Sequence, residues 1–137
     1  MANATSVQVL IDGPRNTVIK YEGVLDTSDV SYVVILDPAT SSPMFPENGR
    51  KASTFRLMEV QFIIEDGLAV NLFWDATTPR RIEQLVGRGK GCYDDFGGLK
   101  NNATGDAGYT GKVGVSTQGW SAGTLSFSVI LEFVKCQ

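Results

Sequence analysis

The sequence predicts an all-β fold: a single-domain antiparallel β-sandwich or jelly roll of about seven to nine short strands with long loops. Three observations carry that expectation. Apolar residues recur with a period of two in several stretches, the spacing that turns one face of a strand toward a core. The chain has 15 glycines, clustered between the apolar stretches where turn-rich β structure needs them. Helix is scarce, with one short segment, residues 80–86, open to either reading.

The stretch that organises the chain is FRLMEVQFIIEDGLAVNLFW, residues 55–74. Its first arm places Met58, Val60, Phe62 and Ile64 on one face and Leu57, Glu59, Gln61 and Ile63 on the other. Its second arm places Leu68, Val70, Leu72 and Trp74 opposite Ala69, Asn71 and Phe73. Between them, Glu65-Asp66-Gly67 reads as the tight turn of a hairpin, because Asp-Gly tolerates positive φ. An isolated hairpin is marginal in water, so its apolar face requires a second sheet.

Taken in order, residues 6–11 (SVQVLI) alternate Val7, Val9 and Ile11 against Ser6, Gln8 and Leu10. Asp12-Gly13-Pro14 turns the chain into a second strand, residues 16–25, with Ile19 and Tyr21 facing one way and Val18, Lys20 and Glu22 the other. Gly23 inside it marks a bulge or a close backbone approach. Residues 30–36 (VSYVVIL) form a continuous apolar run that fits a strand buried on both faces. Residues 37–54 hold Pro38, Pro43 and Pro46 among polar residues, a long loop with Met44 and Phe45 in its middle.

Residues 80–86 (RRIEQLV) fit a two-turn helix capped by Thr78, or a strand with Ile82 and Val86 inward; the β context favours the strand. Residues 87–106 read as mostly loop with a short strand at 92–96. Residues 112–117 give a strand with Val113 and Val115 on one face. The last strand, residues 124–135, aligns Leu125, Phe127, Val129, Leu131 and Phe133 as a lid for the central stretch.

Composition narrows the function. The net charge of −3 and pI near 4.8 argue against nucleic-acid binding through bulk electrostatics. No apolar run approaches a membrane span, and residues 1–6 are too small and polar for a signal peptide. Cys92 and Cys136 are expected as reduced thiols, and Asn3 and Asn102 match the glycosylation pattern by chance. Histidine is absent, which removes the commonest general base and metal ligand. The neighbouring carboxylates Glu65-Asp66 and Asp94-Asp95 point to opposite faces in an extended chain, so neither pair serves one substrate, and the chain reads as non-enzymatic. Gly87-Arg88-Gly89-Lys90-Gly91 has no phosphate-loop spacing and reads as a solvated loop or a basic contact for an acidic protein surface. Asp94, Asp95, Asn101, Asn102 and Asp106 supply hard oxygens but not an EF-hand spacing, so no metal and no cofactor is expected.

Several phrases carry a resemblance. VLIDGPRNTVIKYEGVLDTSD near the start, DGLAVNLFWDATTP and GRGKG in the middle, and TGKVGVSTQGW and LSFSVILEFVK near the end are similar to small virion proteins of tailed bacteriophages. The resemblance spans most of the chain and includes no mechanistic motif. It implies a capsid decoration or cement protein, made in the host cytoplasm and placed on the outer capsid. Such a protein binds the major capsid protein and stabilises the shell, as a homo-oligomer (trimer or dimer) with no nucleic acid or membrane as partner. No binding residues carry over from it. The contact candidates come from this sequence: Met44 and Phe45 in the long loop, Arg88 and Lys90 in the glycine-rich stretch, and N-terminal residues 2–5. Two other readings use the same fold. One is a carbohydrate- or receptor-binding module of a tail or fibre, with Trp74 or Trp120 as a stacking platform near Asn71 and Asp75. The other is a head–tail connector or tail component forming a ring.

Overall fold

The computed structural model describes residues 3–41, 43–44, 47–93, 95 and 97–136. The strands in it are β1 (Ala4–Asp12), β2 (Asn16–Leu25), β3 (Val33–Leu36), β4 (Thr54–Ile64), β5 (Ala69–Trp74), β6 (Arg80–Val86), β7 (Arg88–Cys92), β8 (Val113–Gln118) and β9 (Leu125–Cys136). They form two antiparallel sheets in the orders β1-β2-β9-β4-β7 and β3-β8-β5-β6, an all-β sandwich. A 3-10 turn, Pro38–Thr40, follows β3; Asp37 caps it by accepting from the Ala39 amide at 2.9 Å.

The alternation read from β2, β8 and β9 is the one that builds the core. Ile19 and Tyr21, Val113 and Val115, and Phe127, Val129, Leu131 and Phe133 are all buried. The core runs continuously between the sheets: Trp74 of β5 meets Phe133 of β9 edge-on with ring centroids 6.4 Å apart, and Phe133 also touches Phe55. Lys135 continues the inward row of β9. Its side chain is completely buried and its ammonium donates to Asp12 Oδ1 at 2.8 Å, tying the end of β1 to the end of β9.

The central stretch is not a hairpin. β4 pairs with β9 and β7 in one sheet, whereas β5 pairs with β6 and β8 in the other. The turn chemistry explains this. A hairpin turn that matches strand twist needs positive φ at both central residues, or at the first. Here only the second, Gly67, is positive (φ 87°), in a turn closed by the Leu68 amide on the Glu65 carbonyl at 3.2 Å. The arms therefore splay, and the chain crosses from one sheet to the other.

Bulges in β4 and β1 reset the phase of the alternation. In β4, Leu57 pairs with Phe133 and Glu59 with Glu132, so Met58 is the extra residue. Leu57 consequently joins Val60 and Ile64 in the core and Met58 is half-buried, the reverse of their expected assignment. In β1, Leu10 is extra, which separates Ile11 from the face of Val7 and Val9.

Other expectations change for topological reasons. The run at 30–36 is a strand only over Val33–Leu36, and it is an edge: Val33 and Val34 are exposed, not buried on both faces. Residues 80–86 are a strand, β6, with Leu85 buried and Val86 exposed. Gly87 alone separates β6 from β7: where loop was expected from 87, residues 88–92 are a strand that rejoins the five-stranded sheet, and it ends at Cys92, where the short strand of 92–96 was expected to begin. Its glycines face inward. A Cβ at Gly89 would stand 3.1 Å from the Phe62 ring, and one at Gly91 3.2 Å from Val60, while Arg88 and Lys90 alternate outward.

Candidate functional site

The outer face of the five-stranded sheet carries the residues in opposite phase to the core. These are Glu22 and Val24 on β2, Ser126 and Ser128 on β9, Gln61 and Ile63 on β4, and Arg88 and Lys90 on β7. At one end of this face a groove of about 900 Å³ crosses all five strands, from Ala4–Ser6 through Val24 and Ser126 to Ile63 and Arg88. A shallower depression beside it, about 300 Å³, extends the surface to Lys90 and Ile130. On the core-facing side of β2, Gly23 leaves room for the Phe127 ring: a Cβ there would lie 2.8 Å from Thr5 and 3.0 Å from that ring. That is the close approach its place in the strand indicates.

Ile63 is 64% exposed, the highest value among the exposed large apolar residues described, and Val24 is 41% exposed. Glu22, Glu65 and Asp66 place carboxylates along the groove, with Arg88 at the β7 end. The Ser126 hydroxyl donates to Glu65 at 3.1 Å and the Glu65 amide donates to the Ser126 carbonyl at 3.1 Å, which fixes the β4–β5 turn as one wall. Lys90 pairs with Glu59 at 2.9 Å; its hydrogen bond, helped by one from Gln61, holds the Glu59 carboxyl below its ordinary range. The surface thus combines exposed aliphatic groups with a guanidinium, the composition of an interaction face.

Of the contact candidates, Arg88 lies in the groove and Lys90 beside it, so the structure unites them with Ala4 and Thr5 at the opposite wall. The N-terminal segment is not a free arm. Asn3 accepts from the Asp26 and Thr27 amides at 3.0 and 3.1 Å and donates to the Ser28 carbonyl at 2.9 Å. Ala2 and Phe45 lie outside the described residues. Met44 is half-buried in the loop that leads to the start of β4, its amide bonded to the Arg50 carbonyl at 2.8 Å. That loop is tied to the end of β9 through Ser53 and Cys136, at the opposite end from the groove. Met44 and Arg88 therefore do not share a surface.

No protein-family model matches the chain, and no curated protein matches it either.

The remaining polar clusters have structural explanations. Trp74 is core, 2% exposed, and Trp120 is half-buried with its indole N–H donated to Gly123 at 3.1 Å and its amide to Asp29. Asn71 is buried and donates to Gln118. Asp75 accepts from Tyr32 and, at 2.6 Å, from Thr110; burial first, and this bond second, push the Tyr32 phenol far above its ordinary pKa. Tyr93 is raised in the same way by burial and by donating to Glu83 at 2.7 Å. Asn101 caps the Ala103 amide and donates to Thr54, and Asp106 binds Arg80 in a two-point pair that lowers its pKa. Asp94 is outside the described residues, and among those described no three His, Cys, Asp or Glu side chains converge as metal ligands. Cys92 is exposed and Cys136 half-buried, both as free thiols.

Sequence reasoning left out Ile63, Val24, Ser126 and Ser128 as contact residues. The available signal was Ile63 itself: a large apolar side chain in phase with Glu59 and Gln61, on the polar face of an amphipathic strand.

Proposed function

We propose that this chain is a non-enzymatic structural protein of a tailed-phage virion, a decoration or cement protein that binds the major capsid protein from outside and stabilises the shell. The observation that carries the reading is the groove across the five-stranded sheet, where exposed Ile63 and Val24 share the lining with Arg88, Glu22, Glu65 and Asp66. An open, shallow surface of this kind suits a partner's loop or strand, with an aliphatic anchor flanked by charges that set its register. The resemblance of these phrases to small virion proteins points the same way. On a shell the same contact repeats with every subunit, so modest single-site affinity suffices once copies are linked. A sugar-binding reading has less support, because Trp74 is in the core and Trp120 is half-buried with its indole N–H bonded to Gly123.

The test is co-sedimentation of the purified chain with capsids that lack it. Saturation at a copy number that scales with the count of capsid subunits is expected, together with a higher shell melting temperature. Ile63→Glu and Arg88→Glu should each weaken binding by about 30-fold or more, as loss of an interface anchor does. No binding overturns the reading. Binding confined to one vertex replaces it with a connector or tail component.

A further inference from the structure

The edges of the two sheets are not alike. β7 is short and presents Arg88 and Lys90, and β6 presents Arg80, Arg81 and Glu83. Charges of this kind are how β proteins prevent their edges from pairing with another chain. β3 is an edge of only four residues. β1 has none of these protections: it runs nine residues, pairs with β2 alone, holds no proline or lysine, and has one charge, Asp12, at its end against Lys135. Every residue from Ala4 to Ile11 is exposed, with Val7 at 43%, Val9 at 58%, Leu10 at 44% and Ile11 at 55%. Val9 shares a small depression with Ile35 and Leu36, so β1 and β3 flank the same side of the sandwich, where Val33 and Val34 are also exposed.

We propose that β1 pairs antiparallel with β1 of a second copy about a twofold axis, joining two five-stranded sheets into one. An extended strand is the occupant that satisfies a row of main-chain donors and acceptors, and three features favour a copy of this strand. The first is charge: residues 4–10 are neutral, so the segment meets itself with no like-charge contact. The second is register. A twofold at Val7 sets Val7 against Val7 of the copy, Thr5 against Val9 and Ser6 against Gln8. Apolar and threonine side chains then share the inner face and polar ones the outer. The bulge at Leu10 lies at the margin of this overlap and leaves the ladder from Ala4 to Val9 regular. The third is area. Seven paired residues extend about 24 Å, and the side of the sandwich is two sheets deep, roughly 20 Å. That is about 500 Å² per copy and about 1,000 Å² in all, the lower bound for a specific interface.

The dimer does not rest on the capsid reading: Ala4–Ser6 wall one end of the groove, but pairing along β1 leaves Ile63 and Arg88 open at the other end. The mass of the purified chain in solution, by light scattering across a dilution series, is expected at twice 14.8 kDa. Val9→Lys places a charge on the pairing segment at a position open to solvent in the single copy. It should shift the protein to monomer at concentrations where the parent is dimeric, with circular dichroism unchanged. Val7→Cys tests the register without disturbing the edge: the two thiols face one another at the axis, so a short bifunctional thiol reagent should link copies in high yield. The parent chain, which keeps Cys92 and Cys136, is the reference. A monomeric or trimeric parent overturns the proposal. So does a dimer that Val9→Lys leaves intact while Val7→Cys links no better than the parent.

Discussion

Gly119 shows how much of this fold rests on single backbone positions. It has φ 97°, and a Cβ there would collide with the carbonyl oxygen of Gly67, the residue that turns β4 into β5. The turn after β8 and the turn after β4 thus press main chain against main chain. Gly119→Ala adds a left-handed strain of about 1–2 kcal/mol and an overpacking cost of about 1–3 kcal/mol that no side-chain rotation relieves. A loss of about 2–5 kcal/mol is expected from the shift of the urea midpoint at unchanged m-value. A change below about 0.5 kcal/mol would show that the two turns are not in contact. Sequence reading located the Gly67 turn and the close approach at Gly23, because both glycines interrupt an otherwise apolar or alternating run. It did not single out Gly119, since nothing local distinguishes a glycine pressed against a distant turn from one in open solvent.

At the scale of elements, alternation told which face of β2, β8 and β9 is buried, and it failed where a bulge intervened. The extra residue Met58 is invisible to a period-two count, yet it decides that Leu57 rather than Met58 fills the core. Glycine content misled in the other direction. Gly-Arg-Gly-Lys-Gly has loop composition, but its alternation is that of a strand whose inner positions are already filled by Phe62 and Val60. β7 therefore tolerates no inward side chain, which gives a test. Gly91→Val would press on Val60 and on the Tyr93 hydroxyl, 3.2 and 3.0 Å from the Cβ position, at a cost of about 1–3 kcal/mol. Because β7 is an edge, the strain should be released locally. Amide exchange should quicken at residues 88–92 and leave β2 and β9 at the parent rate, while Arg88 loses its place in the groove. Uniform acceleration across the molecule would mean that β7 is integral to the core and not a separable edge.

The whole molecule is woven so that neither sheet can exist first. The chain lays β1 and β2 in one sheet, β3 in the other, β4 back in the first, β5 and β6 in the second, and then alternates through β7, β8 and β9. The core strand β9 reaches back to β2 and β4, and β8 to β3 and β5, so most ladders join segments far apart in sequence. This is also why the fold class was legible and the topology was not: local periodicity reports that a strand has a buried face, never which distant strand supplies its neighbour. Interleaving of this kind predicts one cooperative unit. Trp74, buried against Phe133 of the opposite sheet, reports the contact between the layers, whereas far-ultraviolet circular dichroism reports the strands themselves. Under urea the two signals should share one midpoint and one slope, and Trp120→Phe removes the half-buried second indole so that fluorescence reads Trp74 alone. A fluorescence transition that precedes the loss of strand signal would mean that the layers separate while still folded. In that case each sheet would hold without the other, which the alternating path of the chain forbids.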